Sequence, residues 1–547
     1  MSQLFKFLIF FLILSSCLII KIKQKMVATK PKTKKTKSHL QHKKTKKTTR
    51  RRRIDVYNNI SSTQELNINR VEELSDDYDT YIVFFCSELK KHIKRVEDLL
   101  DIKIPEKIKN KVNFIEKDDD IVNFYFNNKN IIFVGFKYNE SCDQKYAYEV
   151  SGTLGKKLNN TDKKYLIIFY EKSTLTSQIS GIMQGLYKFT KYNDKKDKIP
   201  QIDFYFDTFI EKINRHIISD YIKINRIQYE IRDLVNEPVN ILDSTTYLAA
   251  IQKSLDKFIK NGKIKITVLD EKQLAKEGLN LILAVNKGSS KPAMMVIIEY
   301  LNGVKEDHTT CLVGKGVMFD TGGVNIKYDD FSDMKTDMTG SAVVFGVIKT
   351  LAELDVKKNI IGVLPIVEND VDGKSTHPGD IVTAYSGKNV EIVDTDAEGR
   401  LILADAISYC KKFKPKVIID IATLTGQVED IFDGLATGLM GNNDGLIEKM
   451  RQSSLVENEK SWQLPIWEET IQDTKSVIAD YKNVDVDGGG DTIKAASFLM
   501  NFLPNKNIHW VHLDIGGVAY NKEDTDFRYA GATGEFYRTL VNYFLLF

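Results

Sequence analysis

The second half of the chain alternates short apolar runs with helical stretches. Seven such runs are bounded by Gly, Pro and Asp, at residues 265–269, 293–299, 310–319, 360–367, 390–393, 417–421 and 510–515. This pattern is typical of a largely parallel or mixed sheet with helices on both faces. Because ligands in such sheets bind beyond the carboxyl ends of the strands, the residues that follow these runs are the candidates for chemistry.

Glycine is distributed unevenly, with only 6 of the 32 in residues 1–275. Glycine serves backbone positions that need unusual dihedrals or close ligand approach, so we expect the site in the C-terminal half. Strand-like runs at 81–85, 131–134 and 165–169, separated by charged helical segments, predict a smaller N-terminal α/β domain. A helical connector over 213–235 should end before Pro238, because proline cannot continue a helix.

These patterns predict three parts. They are a leader over residues 1–54, an N-terminal α/β domain with its linker helix over 55–225, and a larger C-terminal α/β domain with a mixed sheet flanked by helices over 226–547. Apolar residues at 42% and charged residues at 28% exclude a disordered, fibrous or polytopic membrane protein. The five cysteines show no C-x-x-C spacing, so a disulfide scaffold is not expected.

The leader is strongly basic. Residues 1–54 carry 13 Lys, 4 Arg and no acid. Residues 55–547 therefore contain the other 61 basic residues and all 74 acids, which gives this body a net charge of −13. An acidic body excludes a general affinity for nucleic acid, and a Lys/Thr tract without aromatics could bind it only non-specifically.

The apolar run at 7–20 is shorter than the roughly 20 residues of a spanning helix. A secretory signal, a short anchor or a two-part organelle leader fits it, and this run is the part of the chain expected to contact a membrane. Met26 is an alternative start that would leave a cytosolic form.

Acids and lysines follow the predicted strands. In chain order they are Lys315, Asp320, Lys327, Asp337, Asp394, Asp396, Glu398 and Arg400. A single acid at a strand end usually caps a turn, but so many acids at one edge repel one another unless cations neutralise them. The four negative charges of four carboxylates balance the four positive charges of two divalent ions. The ligands are mainly oxygen atoms and the sequence has no H-E-x-x-H motif, which indicates a hard or borderline ion such as Zn²⁺, Mn²⁺ or Mg²⁺.

The same segments resemble the leucyl (cytosol) aminopeptidase family of dinuclear-metal exopeptidases. The matching strings are G-K-G-V-M-F-D-T-G-G, M-K-T-D-M-T-G, D-T-D-A-E-G-R-L, D-I-A-T-L-T-G and G-A-T-G, within a similarity that runs from about Arg232 to the C-terminus. The resemblance implies a two-domain subunit, a homohexamer with its active sites facing an interior cavity, and a cytoplasmic location that competes with the leader's organellar or secretory route.

The resemblance also implies the ligands. Lys315, Asp320, Asp337 and Glu398 would hold the tighter metal, and Asp320, Asp396 and Glu398 the more exchangeable one. The ions would be Zn²⁺ or Mn²⁺, with Mg²⁺ and Co²⁺ as alternatives. Lys315 can ligate only when neutral, which an adjacent dication allows by lowering its pKa.

The implied activity is release of leucine-like N-terminal residues from peptides with a free amine, by attack of a metal-bridging hydroxide. Lys327 would polarise the scissile carbonyl, and Arg400 would hold a bicarbonate ion that relays protons. The implied substrate-binding residues are Lys315, Asp320, Lys327, Met334, Asp337, Leu424 and Gly426. The alternative is a catalytically weak member that acts as a structural or nucleic-acid-binding protein.

This chain departs from the family pattern at three positions. Asp394 replaces the usual Asn, His377 stands where Arg is usual, and Thr336 is polar at a pocket position. No ligand is lost, so the departures bear on substrate preference, metal preference and pH optimum rather than on activity itself.

Overall fold

The computed structural model describes residues 67–74, 77–85, 89–113, 121–126, 129–135, 143–194, 197–207, 216–304, 308–328, 331–485 and 488–547. The predicted leader over 1–54 lies outside these residues, with its apolar run and basic tract. All described residues belong to one unit, residues 56–547. Within the described ranges, no helix has both the length and the apolar character needed to cross a membrane.

The N-terminal domain contains a six-stranded sheet. Its strands are β1 (Asn67–Arg70), β2 (Thr80–Phe85), β3 (Ile121–Phe126), β4 (Lys129–Gly135), β5 (Lys164–Phe169) and β6 (Gln201–Phe206). Their order is β1-β6-β5-β2-β4-β3, parallel throughout except for β3 against β4. Ile82 packs into the apolar cluster on one face and Val83 into the cluster on the other, because successive strand residues point in opposite directions. The predicted strands of this domain are confirmed.

Helices cover both faces of this sheet and connect it to the second domain. They are α1 (Leu89–Leu100), α2 (Glu106–Asn113), α3 (Gln144–Leu158), α4 (Lys172–Leu186) and the connector α5 (His216–Asn236). α5 ends two residues before Pro238, as predicted. Its first half contributes Ile222 to the N-terminal core and its second half contributes Ile231 to the catalytic core, so the predicted boundary at residue 225 falls inside a helix shared by both.

The catalytic domain is built on a nine-stranded mixed sheet. Its strands are β7 (Ile264–Leu269), β8 (Met294–Leu301), β9 (Thr309–Gly314), β10 (Gly316–Asp320), β11 (Asn359–Asn369), β14 (Val417–Ala422), β15 (Thr437–Gly441), β16 (Ser461–Gln463) and β18 (His509–Asp514). The order is β16-β15-β18-β14-β9-β11-β8-β7, with β10 also paired to β11. The central strands β18, β14, β9 and β11 are parallel. β7 pairs antiparallel to β8, β8 to β11 and β15 to β18, while β15 and β16 are parallel.

Helices pack on both faces of this sheet. They are α6 (Ser244–Lys260), α7 (Glu271–Glu277), α8 (Asn280–Val285), α9 (Thr339–Glu353), α10 (Glu398–Tyr409), α11 (Gln427–Phe432), α12 (Asp444–Val456), α13 (Glu468–Gln472), α14 (Asp491–Met500) and α15 (Tyr537–Leu546). α6, α9, α12 and α15 share one apolar cluster, and α8, α10 and α14 share the other. The predicted α/β fold, with a smaller N-terminal domain and a larger catalytic domain, is confirmed.

Two predicted strands differ from the structure. The run 310–319 is not one strand: it breaks at Lys315 into β9 and β10, which pair one after the other with the long β11. The run 390–393 does not join the main sheet. It forms β13 (Asn389–Ile392) in a three-stranded sheet between β12 (Asp380–Thr383) and β17 (Tyr481–Lys482), while β19 (Tyr520–Asn521) and β20 (Gly531–Ala532) form a separate pair. β13 is short and buries only alternate residues, which suits a sheet covered on one face.

Candidate metal centre and substrate cleft

Lys315 occupies the break between β9 and β10. Its backbone N–H donates to the carbonyl of Ile421 at 3.1 Å and its carbonyl accepts from the N–H of Ser341 at 2.8 Å, which fixes it between β14 and the start of α9. The side chain is buried, and a Cβ at Gly399 would come within 2.7 Å of its Nζ. Glycine at 399 therefore leaves the space that the ammonium group fills.

The Lys315 ammonium lies between two carboxylates. Its Nζ is 2.7 Å from Asp337 Oδ1 and 2.8 Å from Glu398 Oε1, and it donates to the carbonyl of Thr423 at 2.8 Å. Burial by itself would lower the pKa of Lys315, but the surrounding carboxylates outweigh burial and raise it. Dications on the same carboxylates would reverse that balance, as neutral ligation by Lys315 requires.

Asp320 closes β10 and is held by its neighbours. Oδ1 accepts from the backbone N–H of Gly322 at 2.9 Å and from the amide of Asn369 at 2.8 Å, while Oδ2 lies 2.8 Å from Lys327 Nζ. Gly322 has a φ of +88°, a conformation that suits glycine. This turn fixes the carboxylate and returns the chain toward Lys327.

Asp396 stands opposite Lys327. The Asp396 Oδ1 to Lys327 Nζ distance is 2.5 Å, and the backbone N–H of Asp396 donates to Asp394 Oδ1 at 2.8 Å. Burial, followed by the nearby charge of Asp320, raises the pKa of Asp396 to about 7. Asp394 therefore caps the turn that presents Asp396, in addition to bringing a negative charge to the cleft.

The remaining carboxylates are deeply buried. Burial raises the pKa of Asp337 well above its usual range, although Lys315 opposes the shift. At Glu398, the first residue of α10, burial also acts to raise the pKa, but Lys315 and Lys327 outweigh it and lower the value. Four carboxylates of the cluster thus face two lysines, so the cluster holds more negative charge than the lysines neutralise.

The donor set fits divalent metal. Oxygens of Asp320, Asp396 and Glu398 lie within 4.8 Å of one another. Among the described residues, the buried oxygens Asp337 Oδ2 and Glu398 Oε1 have no hydrogen-bond partner, although Glu398 Oε1 lies 2.8 Å from Lys315 Nζ. Buried carboxylate oxygens normally have partners, and a hard cation would supply them here.

Arg400 follows in the first turn of α10, but its environment does not fit the predicted bicarbonate. Nη1 donates to the carbonyl of Asn483 at 2.8 Å and Nη2 donates to Asp491 Oδ1 at 2.6 Å. Nε is buried and has no partner within the described part of the chain. An added anion would have to share the guanidinium with a carboxylate of the same charge.

These residues surround one cleft of about 360 Å³. Every predicted site residue lines it: Lys315, Asp320, Lys327, Met334, Asp337, Asp396, Glu398, Arg400, Leu424 and Gly426. Asp514 holds one wall in place, since its carboxylate accepts from the backbone N–H of Leu424 at 3.2 Å and from the Thr425 hydroxyl at 2.7 Å.

Of the three departures, two concern the cleft. Asp394 and Thr336 line it, whereas His377 is exposed in a turn outside the lining. Sequence reasoning missed Asn369, Asn483 and Asp491. Asn369 and Asp491 belong to strings rich in Asp or Gly, 369–373 and 485–491, which mark loops but do not tell which side chains they orient.

Comparisons with known proteins agree with this geometry. Residues 230–541 match the family model described as "Cytosol aminopeptidase family, catalytic domain". The chain is 38% identical over 379 residues to a protein named "Probable cytosol aminopeptidase" from Geotalea uraniireducens, which covers 68% of this chain and 74% of the relative. It is 44% identical over 315 residues to a protein of the same name from Pseudomonas syringae pv. syringae, covering 57% of this chain and 62% of the relative.

Solved structures share the fold. The cytosol aminopeptidase from Coxiella burnetii superposes with a TM-score of 0.73 at 26% identity, covering 86% of this chain and 98% of that one. The bottromycin maturation enzyme BotP, solved in complex with Mn, gives a TM-score of 0.74 at 24% identity and covers 85% and 99%. The second likeness concerns the fold alone.

Proposed function

The chain belongs to the cytosol aminopeptidase family and is a metalloexopeptidase; from that premise we propose that it releases leucine-like residues from the free N-terminus of peptides at the cleft around Lys327. The observation that carries this proposal is the cluster of Asp320, Asp396 and Glu398 carboxylate oxygens within 4.8 Å of one another, next to two lysines.

We assign the ligands as follows. Lys315, Asp320, Asp337 and Glu398 would hold one divalent ion, and Asp320, Asp396 and Glu398 the other, with Asp320 and Glu398 shared. Such ions supply Lewis acidity and lower the pKa of bound water. Mn²⁺ or Zn²⁺ is the proposed ion, with Mg²⁺ and Co²⁺ as alternatives. BotP, whose likeness to this chain concerns the fold, is recorded in complex with Mn.

The protein's own groups orient the peptide. Burial acts to lower the pKa of Lys327, but Asp320, Glu398 and Asp396 outweigh burial and raise it. We assign Lys327 the polarisation of the scissile carbonyl, because a fixed cation there stabilises the oxyanion that develops. Met334 and Leu424 line the apolar part of the cleft and would contact the first side chain of the substrate.

Other features of the protein stay proposals. We propose a homohexamer, an address function for the leader over 1–54, and membrane contact only through the apolar run at 7–20. Specific nucleic-acid binding is not part of the proposal, because the body carries a net charge of −13.

Metal removal tests the function directly. The purified protein is treated with a chelator, dialysed, and assayed for hydrolysis of leucyl peptides before and after addition of Mn²⁺, Zn²⁺ or Co²⁺. Activity should disappear with the metal and return with it. An N-acetylated peptide is the matched substrate control and should not be cleaved. Full activity in a verified metal-free protein, or no activity under any metal, would overturn the proposal.

A further inference from the structure

Arg400 is a buried cation that needs an anion beside it. Only 4% of its side chain is exposed, and it extends from the first turn of α10 toward the cleft. Burial of a guanidinium without a counter-charge costs free energy of folding. The orientation of Arg400 therefore depends on the anion that pairs with it. In this chain the partner is Asp491, the first residue of α14.

Asp491 is itself fixed. Its backbone N–H donates to Gln427 Oε1 at 2.6 Å, and its carboxylate stands at the N-terminus of α14, where the helix dipole favours negative charge. Asn483 holds the other terminal nitrogen of Arg400 through its carbonyl. Asn483 and Asp491 thus hold the two terminal nitrogens of the guanidinium, and Gln427 holds Asp491.

We propose that the Asp491 carboxylate takes the anion position beside Arg400, so that Asp491 is a positioning residue and the enzyme works without bicarbonate. This inference rests on the proposed peptidase function of the same cleft. The Nη2 to Oδ1 distance of 2.6 Å is that of a charge-assisted hydrogen bond, and both residues line the cleft. A bicarbonate ion at Arg400 would therefore compete with a carboxylate that is covalently part of the chain and already oriented.

Removal of this carboxylate should create the anion site. Asp491→Ala leaves Arg400 without its ion pair at the cleft, so a small anion can enter. In CO₂-free buffer we expect its kcat to fall by about 10-fold to 100-fold, the scale for a misplaced catalytic group, and to recover on addition of bicarbonate or formate. Wild-type activity should not change with either anion. Sodium chloride at matched ionic strength controls for salt.

Two further variants separate charge from shape. Asp491→Glu keeps the charge and should retain more activity than Asp491→Asn, which keeps the size but not the charge. Asp430→Ala removes an exposed acid from α11 that does not line the cleft, and it should behave as wild type. Metal content is measured for each variant, because equal metal shows that the ligand set is intact.

Anion binding also has a readout that does not depend on catalysis. In the metal-loaded protein, formate should raise the thermal unfolding midpoint of Asp491→Ala more than that of wild type. The proposal is overturned if wild-type activity rises with bicarbonate as strongly as that of the variant, or if Asp491→Ala needs no anion. If no form hydrolyses peptides, the proposed function fails, and the formate-dependent stabilisation alone still decides the role of Asp491.

Discussion

Two cavities of similar size in this molecule differ in the charge of the residues that line them. The cleft of about 360 Å³ is lined by seven acids and three bases, whereas a second cavity of about 380 Å³, between α3 and the C-terminal segment, is lined by three of each. In the second cavity Lys145 Nζ lies 3.8 Å from Glu149 Oε1, and Arg528 Nη1 lies 2.9 Å from Glu535 Oε2. Size therefore does not distinguish the active site, and the excess of negative charge does.

The two regions should respond differently to substitution. In the cleft, charged groups are proposed to contact metal ions and the peptide substrate, so their loss should impair metal binding or catalysis more than folding. Around the second cavity, buried charged groups bind partners from segments far apart in sequence. Arg538 Nε lies 3.3 Å from Glu459 Oε1, and the Tyr148 hydroxyl of α3 accepts from Arg528 at 2.6 Å. Their loss should impair folding more than catalysis.

The largest effect is expected at Asp320. Asp320→Ala removes a carboxylate proposed to serve both metal ions, so activity should fall on the order of 10³-fold or more and bound metal should be lost. Metal analysis after dialysis, together with kcat/KM for a leucyl peptide, measures both. Asp430→Ala is the surface control. A variant that keeps full metal occupancy would contradict the assignment of Asp320 as a shared ligand.

Lys327 should show a smaller effect of a different kind. Lys327→Ala removes a cation that faces Asp320 and Asp396 but is not a proposed ligand, so kcat should fall by about 10² to 10³-fold while bound metal stays nearly unchanged. Lys327→Arg keeps the charge and should lose less. Equal loss of metal in the alanine variant would mean that the division between ligand and catalytic lysines is wrong.

The second cavity should give the opposite result. Arg528→Met leaves Glu535 buried without its cation, and breaking a buried pair typically costs about 3–5 kcal/mol of stability. The thermal midpoint should fall, while kcat/KM per metal-loaded site stays within about twofold of wild type. The midpoint and the kinetics are measured on the same preparation. A large loss of kcat with an unchanged midpoint would indicate that this cavity takes part in catalysis.

The smallest effect is a pH dependence at Glu459, which lines the second cavity. Burial raises the pKa of Glu459 to about 7, although Arg538 opposes the shift. Because the folded state then binds a proton that the unfolded state releases near pH 4.5, the stability contributed by Glu459 is full below that pH. It is lost as the pH rises through about 7.

Glu459→Gln should therefore flatten the fall of the unfolding free energy between these pH values. Denaturant unfolding of variant and wild type across the range measures the difference. Thr539→Ala is a companion variant that keeps the titrating carboxyl: it removes a hydroxyl whose hydrogen bond lowers the pKa of Glu459, so the fall should persist in this variant. An unchanged pH slope in Glu459→Gln would show that another group carries the dependence.

Much of the fold could be predicted because local patterns report burial. Runs such as 417–421 became β14, with Ile418 and Ile419 in the clusters on opposite faces of the sheet. The proposed ligand set came from the resemblance of the motifs to the leucyl aminopeptidase family. The structure brings these residues into one cleft because several follow strands that end at the same edge of the sheet.

Some features were decided only by tertiary structure. The sequence by itself determined the α/β class, most of the central strands, the helix that ends before Pro238, and the acids and lysines that gather at one cleft. It did not determine that Asp491, 91 residues along the chain, would form an ion pair with Arg400, or that β13 would belong to a separate sheet. The physical reason is that periodicity records whether a residue is buried, whereas the partner of a buried charge depends on which distant segments pack against it.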